Sequence, residues 1–276
     1  MAEIPENKWR VTGKRVLIIA AALVALNVAL HLVFASLTEK GEVYAVSHRG
    51  AAGVAPENTL SAVKAGVSAG APFIEIDVRL TSDGVPVLMH DDTLDRTTDG
   101  AGRVRERSWE YVRNLDAGGR FSDEFKGETV PHLGAVLEYM KGTSSTLVIE
   151  VKSPDDYPGV GDVLADYLRK YGMEKRVVVV SFDAGWVEES GRLMPGVALG
   201  ALYVYPLGVP PSDSVKYVSV FWPAYVLDPS LALRLKRAGY TVWAWNIDNP
   251  CIARFLAWQG VDGIVLDRPG ILGGAE

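Results

Sequence analysis

From Val43 onward, short runs of consecutive apolar residues alternate with longer stretches in which apolar positions return every three or four residues. The continuous runs predict strands buried on both faces, and the three-to-four spacing predicts amphipathic helices. Strands are expected at Val43–Ser47, Phe73–Val78, Val85–Met89, Leu147–Val151, Val177–Phe182, Ala198–Tyr203, Tyr217–Phe221, Thr241–Asn246 and Gly263–Leu266. Helices are expected at Thr59–Ala69, Leu133–Lys141, Val160–Tyr171, Trp186–Met194, Ser230–Ala238 and Pro250–Gln259. Strand, helix, strand repetition implies a parallel sheet covered by helices, and the number of strands fits a closed TIM-type (β/α)8 barrel. An open doubly wound sheet is the alternative. Two places break the alternation. Thr81–Gly84, "TSDG", is a tight turn between two strands, and the polar, glycine-rich stretch from Asp91 to His132 is too long for an ordinary connection. It is expected as a small insertion over one end of the barrel, with a weak helical patch at Trp109–Asn114.

The pattern before Val43 is different in kind. Val16 to Leu37 holds no formal charge and is bounded by Lys14-Arg15 and Glu39-Lys40. At about 1.5 Å per helical residue it can cross a hydrocarbon core of about 30 Å. It exceeds the usual apolar stretch of a cleaved leader, about 7–15 residues, although Val33-Phe34-Ala35 offers a cleavage pattern. A retained transmembrane anchor at 16–37 is therefore expected, with secretion after cleavage as the alternative. Lys8, Arg10, Lys14 and Arg15 place the tail, 1–15, in the cytoplasm and the barrel domain, 43–270 with its insertion at 91–132, outside. Asn27 and His31 share one face of this helix and could pair with another helix; the expectation is that they are merely tolerated.

Composition narrows the function classes. With 276 residues, one barrel or two smaller domains are possible. A net charge of −6 supplies no global basic field for nucleic acid. The single cysteine, Cys251, rules out an intrachain disulfide and a thiolate cluster.

The polar residues carry the chemistry. His48, Glu75, Asp77, His90, Glu150, Lys152 and Asn246 all fall in or just after the C-terminal ends of expected strands, where a parallel barrel builds its active site. Side chains alternate along a strand, so Glu75 and Asp77 of "FIEIDV" share a side, as do Glu150 and Lys152 of "LVIEVK". Converging buried carboxylates repel unless a counter-charge or a metal is present. An all-oxygen set of Glu75, Asp77 and Glu150 suits Mg²⁺ or Ca²⁺; the alternative is an ion-free network with Arg49, Arg79 and Lys152. His48 and His90 each close a strand, and two imidazoles at one mouth can serve as general acid and general base. Arg49 and Lys152 add fixed positive charge for a phosphate. Together these groups describe phosphodiester cleavage.

The motifs "HRG", "PENT", "EIDVRLTSDGVPVLMHDDTLDRTTDG", "IEVK", "WAWNID" and "GVDGIVLDRP" resemble, in order, those of the glycerophosphodiester phosphodiesterase family. The resemblance runs from Val43 to Pro269 and implies a barrel with a small insertion. It implies His48 and His90 as the acid/base pair, Arg49 as a phosphate contact, and Glu75, Asp77 and Glu150 as ligands of a divalent cation. Lys152 corresponds to a lysine facing the phosphate and Trp243 to an aromatic near the glycerol pocket, although "WAW" offers two candidates. Asn58 and Thr59 are expected to cap a helix, and Glu57 to order the site or simply to pack. The implied reaction is hydrolysis of deacylated phospholipids to glycerol 3-phosphate and an alcohol, with the neighbouring glycerol hydroxyl as the attacking group. A lysophospholipase D acting on monoacyl lipids is the alternative, for which the apolar stretch from Ala201 to Leu227 is a possible greasy rim; ordinary barrel strand is the expected reading of that stretch. A non-catalytic binder of phosphodiester headgroups is a third reading, of another class. Nothing in the sequence speaks to oligomeric state.

Overall fold

The computed structural model describes residues 13–206 and 214–272. The expected cytoplasmic tail therefore lies, up to position 12, outside the described residues, as do positions 207–213 of the Ala201 to Leu227 stretch.

Among the described residues nine strands form: β1 Tyr44–Ser47, β2 Phe73–Leu80, β3 Pro86–Leu88, β4 Thr146–Val151, β5 Val177–Ser181, β6 Ala198–Tyr203, β7 Val215–Phe221, β8 Thr241–Trp245 and β9 Gly263–Leu266. All but β3 pair in parallel, and β1 bonds to both β2 and β9, which closes an eight-stranded barrel. β3 lies outside it, antiparallel to β2 across the Thr81–Gly84 turn, with Leu80 opposite Pro86. Helices follow: α1 Gly13–Leu37, α2 Leu60–Ser68, α3 Trp109–Val112, α4 Leu133–Lys141, α5 Val160–Tyr171, α6 Ala184–Leu193, α7 Pro223–Leu227, α8 Leu231–Arg237 and α9 Pro250–Gln259. Their starts obey local chemistry. Thr59 caps α2 by accepting from the Ala62 N–H, Asp183 caps α6 through Trp186, and Asn249 caps α9 just ahead of Pro250. The short α7 was not expected, because five residues after a proline carry no readable period.

The strand alternation divides the core. Ile74, Ile76, Leu147, Ile149 and Val179 face the helices, while Val46, Val148, Val178, Val180, Leu202, Tyr217, Trp243 and Val265 fill the barrel. The 91–132 segment packs on β3 and Met89 in a separate cluster of Val87, Met89, Leu94, Val104, Val112, Leu115 and Val130. Bridges at Thr93–Arg103 and Asp116–Thr129 tie it together. That small core holds an otherwise polar segment over the barrel end.

α1 is long and apolar enough to cross a membrane, with a mean hydropathy of 2.6 over an 18-residue window within Lys14–Leu37, and that window is almost wholly exposed. A transmembrane span and a leader both satisfy that description. Asn27 and His31 depart from expectation. Asn27 Nδ2 donates to the Val226 carbonyl at 3.4 Å, and His31 Nε2 lies 3.2 Å from the same oxygen. His31 Nδ1 also pairs with the Gln259 amide at 2.9 Å, and its ring meets Phe255 edge-on. They are docking groups rather than tolerated ones, since burying Gln259 and His31 requires such partners.

Candidate active site

The C-terminal ends of the strands surround a cavity of about 260 Å³ lined by Val46, His48, Arg49, Glu75, His90, Val148, Glu150, Lys152, Val180, Phe182, Leu202, Ser219, Trp243, Trp245, Asn246 and Val265. Seven of the eight candidate residues line it directly. Asp77, the eighth, lies beneath, with one ligand atom each of Glu75, Asp77 and Glu150 within 4.8 Å of one another.

The loop after β1 is shaped by this cluster. Arg49 sits at φ +50°, a left-handed conformation in which its backbone N–H donates to Glu75 Oε2 at 2.7 Å. Gly50, at φ +91°, follows, and a Cβ there would come within 2.6 Å of the α2 backbone at Ala62. Only glycine lets the turn approach α2 so closely. Asn58, expected as part of a helix cap, instead braces the cluster: its amide donates to Asp77 Oδ2 at 2.7 Å and its oxygen accepts from the Asp77 N–H. Thr59 alone caps the helix.

The carboxylates are almost fully buried. Lys152 Nζ lies 2.5 Å from Glu150 Oε1 and 3.1 Å from Asp77 Oδ1, and Arg49 Nε lies 3.5 Å from Asp77 Oδ2. Arg79 takes no part; its guanidinium donates to the His90 carbonyl at 2.8 and 3.1 Å. Two cations therefore face three carboxylates. Burial works against the Asp77 charge, but Lys152 and Arg49 outweigh it and lower its pKa to about 2. Glu75 is left over: burial first, then repulsion from Asp77, pushes its pKa up to about 8. Glu75 Oε1 is buried without a hydrogen-bond partner, and Asp77 Oδ1 has only the Lys152 ammonium beside it, outside hydrogen-bonding geometry. A hard divalent cation fits this set, since it supplies the missing charge and takes up these oxygens. The ion-free alternative leaves Glu75 Oε1 unsatisfied.

The two histidines differ in their surroundings. Burial disfavours the charge on His48, but its Nδ1 lies 2.6 Å from Asp267 Oδ1, and that bond with the field of Glu75 raises its pKa. On His90 burial prevails and lowers the pKa, despite Asp77 and a 2.7 Å bond from Nδ1 to Asp91. With both Nδ1 atoms tied to carboxylates, each Nε2 is the nitrogen left for a substrate. Asp91 is held by Arg96, which also grips Glu57 with two bonds, and Glu57 holds Arg49 at 2.7 Å. Arg96 thus links both sides of the mouth.

Asp267 and Asp91 were missed in the sequence. Asp267 closes β9 as His48 closes β1, and closure of the barrel makes those strands neighbours; Asp91 simply follows His90. Trp243 lies at the cavity floor, 2 % exposed, its indole passing over Gly263, where a Cβ would come within 2.6 Å of Nε1. Trp245, two residues nearer the mouth, packs with Phe182 and Phe221. Both tryptophans of "WAW" therefore line the site. Ser219 Oγ, Trp243 Nε1 and Asn246 Oδ1 are further buried polar atoms without hydrogen-bond partners, all on cavity residues.

Residues 48–271 match the model of the glycerophosphoryl diester phosphodiesterase family, which covers most of the chain. The chain belongs to that family. A glycerophosphodiester phosphodiesterase of Caldanaerobacter subterraneus is 34% identical over 230 residues, 82% of this chain and 95% of that protein. Among solved structures, the glycerophosphodiester phosphodiesterase of Agrobacterium tumefaciens is 33% identical with a TM-score of 0.73, covering 84% of this chain and all of that one. An Oleispira antarctica phosphodiesterase in complex with the product sn-glycerol-3-phosphate is 27% identical with a TM-score of 0.72, covering 85% of this chain and 96% of that one. The expected family and the TIM-type barrel both hold, and the chain is a phosphodiesterase by membership.

Proposed function

We propose that this phosphodiesterase hydrolyses glycerophosphodiesters, deacylated phospholipids such as glycerophosphocholine, to glycerol 3-phosphate and an alcohol. One observation carries the reading: paired histidines, two cations and the carboxylate cluster converge on one cavity whose buried polar atoms lack partners. Such atoms are costly unless a ligand completes them. The product in the Oleispira antarctica complex supports the same class of substrate.

In this mechanism His90, whose surroundings favour the neutral imidazole, accepts the proton of the attacking oxygen. The attacker is water, or the neighbouring glycerol hydroxyl, in which case a cyclic phosphate forms first and water then opens it to glycerol 3-phosphate. His48, kept protonated by Asp267, donates to the departing alcohol oxygen as its bond to phosphorus breaks. Arg49 and Lys152 balance negative charge on the remaining phosphoryl oxygens. A divalent cation, Mg²⁺ or Ca²⁺, held by Glu75, Asp77 and Glu150 would add Lewis-acid polarisation of the phosphoryl group. Trp243 and Trp245 form the apolar wall against which the glycerol carbons lie. α1 acts as a retained anchor with the basic flank inside and the barrel outside.

The test is glycerol 3-phosphate release from a panel of glycerophosphodiesters by the wild-type chain and by His48→Ala and His90→Ala. General acid–base catalysis is worth about 10²–10⁴-fold, so each variant should lose at least about a hundredfold. Near-normal turnover in either would remove that histidine from the mechanism.

A further inference from the structure

We propose that the barrel seats its mouth on the bilayer surface, so that its substrates include phosphodiesters held in the membrane by one acyl chain. The inference rests on the phosphodiesterase reading and extends it from dissolved to bilayer-resident headgroups.

The direction in which α1 leaves the barrel carries it. α9 starts on the mouth side, straight after β8, and runs towards the opposite end. α1 runs the same way beside it: His31 lies against Phe255 and Gln259, and Thr38 packs where a side chain on Gly260 would otherwise be. Lys236 Nζ fixes the end by donating to the Glu39 carbonyl at 2.9 Å. Five residues before Phe255 is Pro250, the first of α9, so a parallel neighbour reaches that level roughly five residues before His31, near Leu26. The barrel-facing stripe of α1 also ends there. Asn27, His31, Phe34, Ala35 and Thr38 are partly or wholly buried, whereas every residue from Lys14 to Leu26 is exposed. The free part of α1 therefore projects beyond the mouth, not away from it.

The apolar part of that projection, Val16–Leu26, is eleven residues, about 17 Å of helix, short of the roughly 30 Å hydrocarbon core. Sinking the rim about 5–10 Å into the interface, the depth reached by membrane-surface helices, with Lys14 and Arg15 snorkelling to the far side, makes up the difference. The rim is built for that. Phe182, Val204, Tyr205 and Leu227, on the loops and helix after β5, β6 and β7, are 48%, 60%, 41% and 75% exposed. A cavity of about 260 Å³ is just below the usual range of ligand pockets, about 300–1,000 Å³. It accommodates a headgroup and leaves an acyl chain in the lipid, with Phe182 and Trp245 between the two.

Full-length protein with Cys251→Ser is labelled with bimane at Val204→Cys on the rim or at Leu193→Cys on the opposite end, and placed in phosphatidylcholine vesicles carrying spin-labelled lipid. Quenching at 204 and little at 193 is expected; equal quenching at both, or none at 204, overturns the seating. The same vesicles, loaded with lysophosphatidylcholine, are compared with dissolved glycerophosphocholine by choline release. Val204→Asp with Leu227→Asp should reduce turnover of the vesicle lipid at least tenfold and change that of glycerophosphocholine less than twofold. An unchanged ratio of the two activities overturns the substrate claim. Absence of turnover on both substrates by the wild-type chain instead rejects the phosphodiesterase reading, and leaves the quenching result to decide the orientation.

Discussion

In the proposed mechanism, His48 and His90 are chemically identical side chains set to opposite tasks by their neighbours. Asp267 holds the proton on His48, raising its pKa above the ordinary value of about 6.5, and burial lowers that of His90. The sign of the pH dependence follows. Under that mechanism activity needs His90 neutral, so it rises as pH increases through a value below the ordinary one; it needs His48 charged, so it falls as pH passes a value above it. A bell-shaped profile of kcat/KM is expected. Asp267→Asn should move the alkaline limb to lower pH and leave the acid limb in place, measured as kcat/KM between pH 4 and 10 on glycerophosphocholine. A profile whose alkaline limb does not move would take Asp267 out of its positioning role. Lys152→Met should be more damaging than loss of one phosphate contact, because the buried Asp77 and Glu150 would be left with one cation fewer. A fall in both the thermal midpoint and turnover is expected, the first read by calorimetry.

At the scale of elements, the turn after β1 is the joint on which the site depends. Gly50 occupies φ +91° and its N–H donates to the Glu75 carbonyl at 2.7 Å, while the preceding Arg49 N–H reaches the Glu75 side chain. Gly50→Ala adds left-handed strain of about 1–3 kcal/mol and a collision with α2, so the urea midpoint should fall and the carboxylate cluster should loosen with it. An unchanged midpoint would mean that the turn is not under this constraint. The elements were legible where period and length agreed. The strands of the barrel and the tight turn before β3 follow from continuous apolar runs and "TSDG", because burial on both faces leaves so plain a pattern. α7 was not legible, since one and a half turns carry no period. The role of Asn58 was not legible either. Its position invites a capping role, and only the packing of α2 against β2 shows that it faces Asp77. The docking of Asn27 and His31 has the same cause: their partners, Val226 and Gln259, are distant in sequence and adjacent only once the barrel closes.

At the scale of the molecule, the histidines, carboxylates and cations could be read from strand ends because a parallel barrel gathers those ends on one face. What could not be read was which groups support them. Asp267, Asp91 and Arg96 lie in loops whose course is set by packing of the 91–132 segment and by the β9–β1 seam. The reading that unites these parts is that a divalent cation completes a site otherwise short of positive charge, and that the completed site cleaves glycerophosphodiesters. Its most direct test is phosphorus NMR of glycerophosphocholine incubated with the full chain before chelation, after it, and after Mg²⁺ or Ca²⁺ is restored. The diester resonance should be replaced by that of glycerol 3-phosphate, persist once the ion is removed, and decline again when either ion is returned. A diester untouched by the ion-replete protein, or consumed at full rate after exhaustive chelation, would contradict the account.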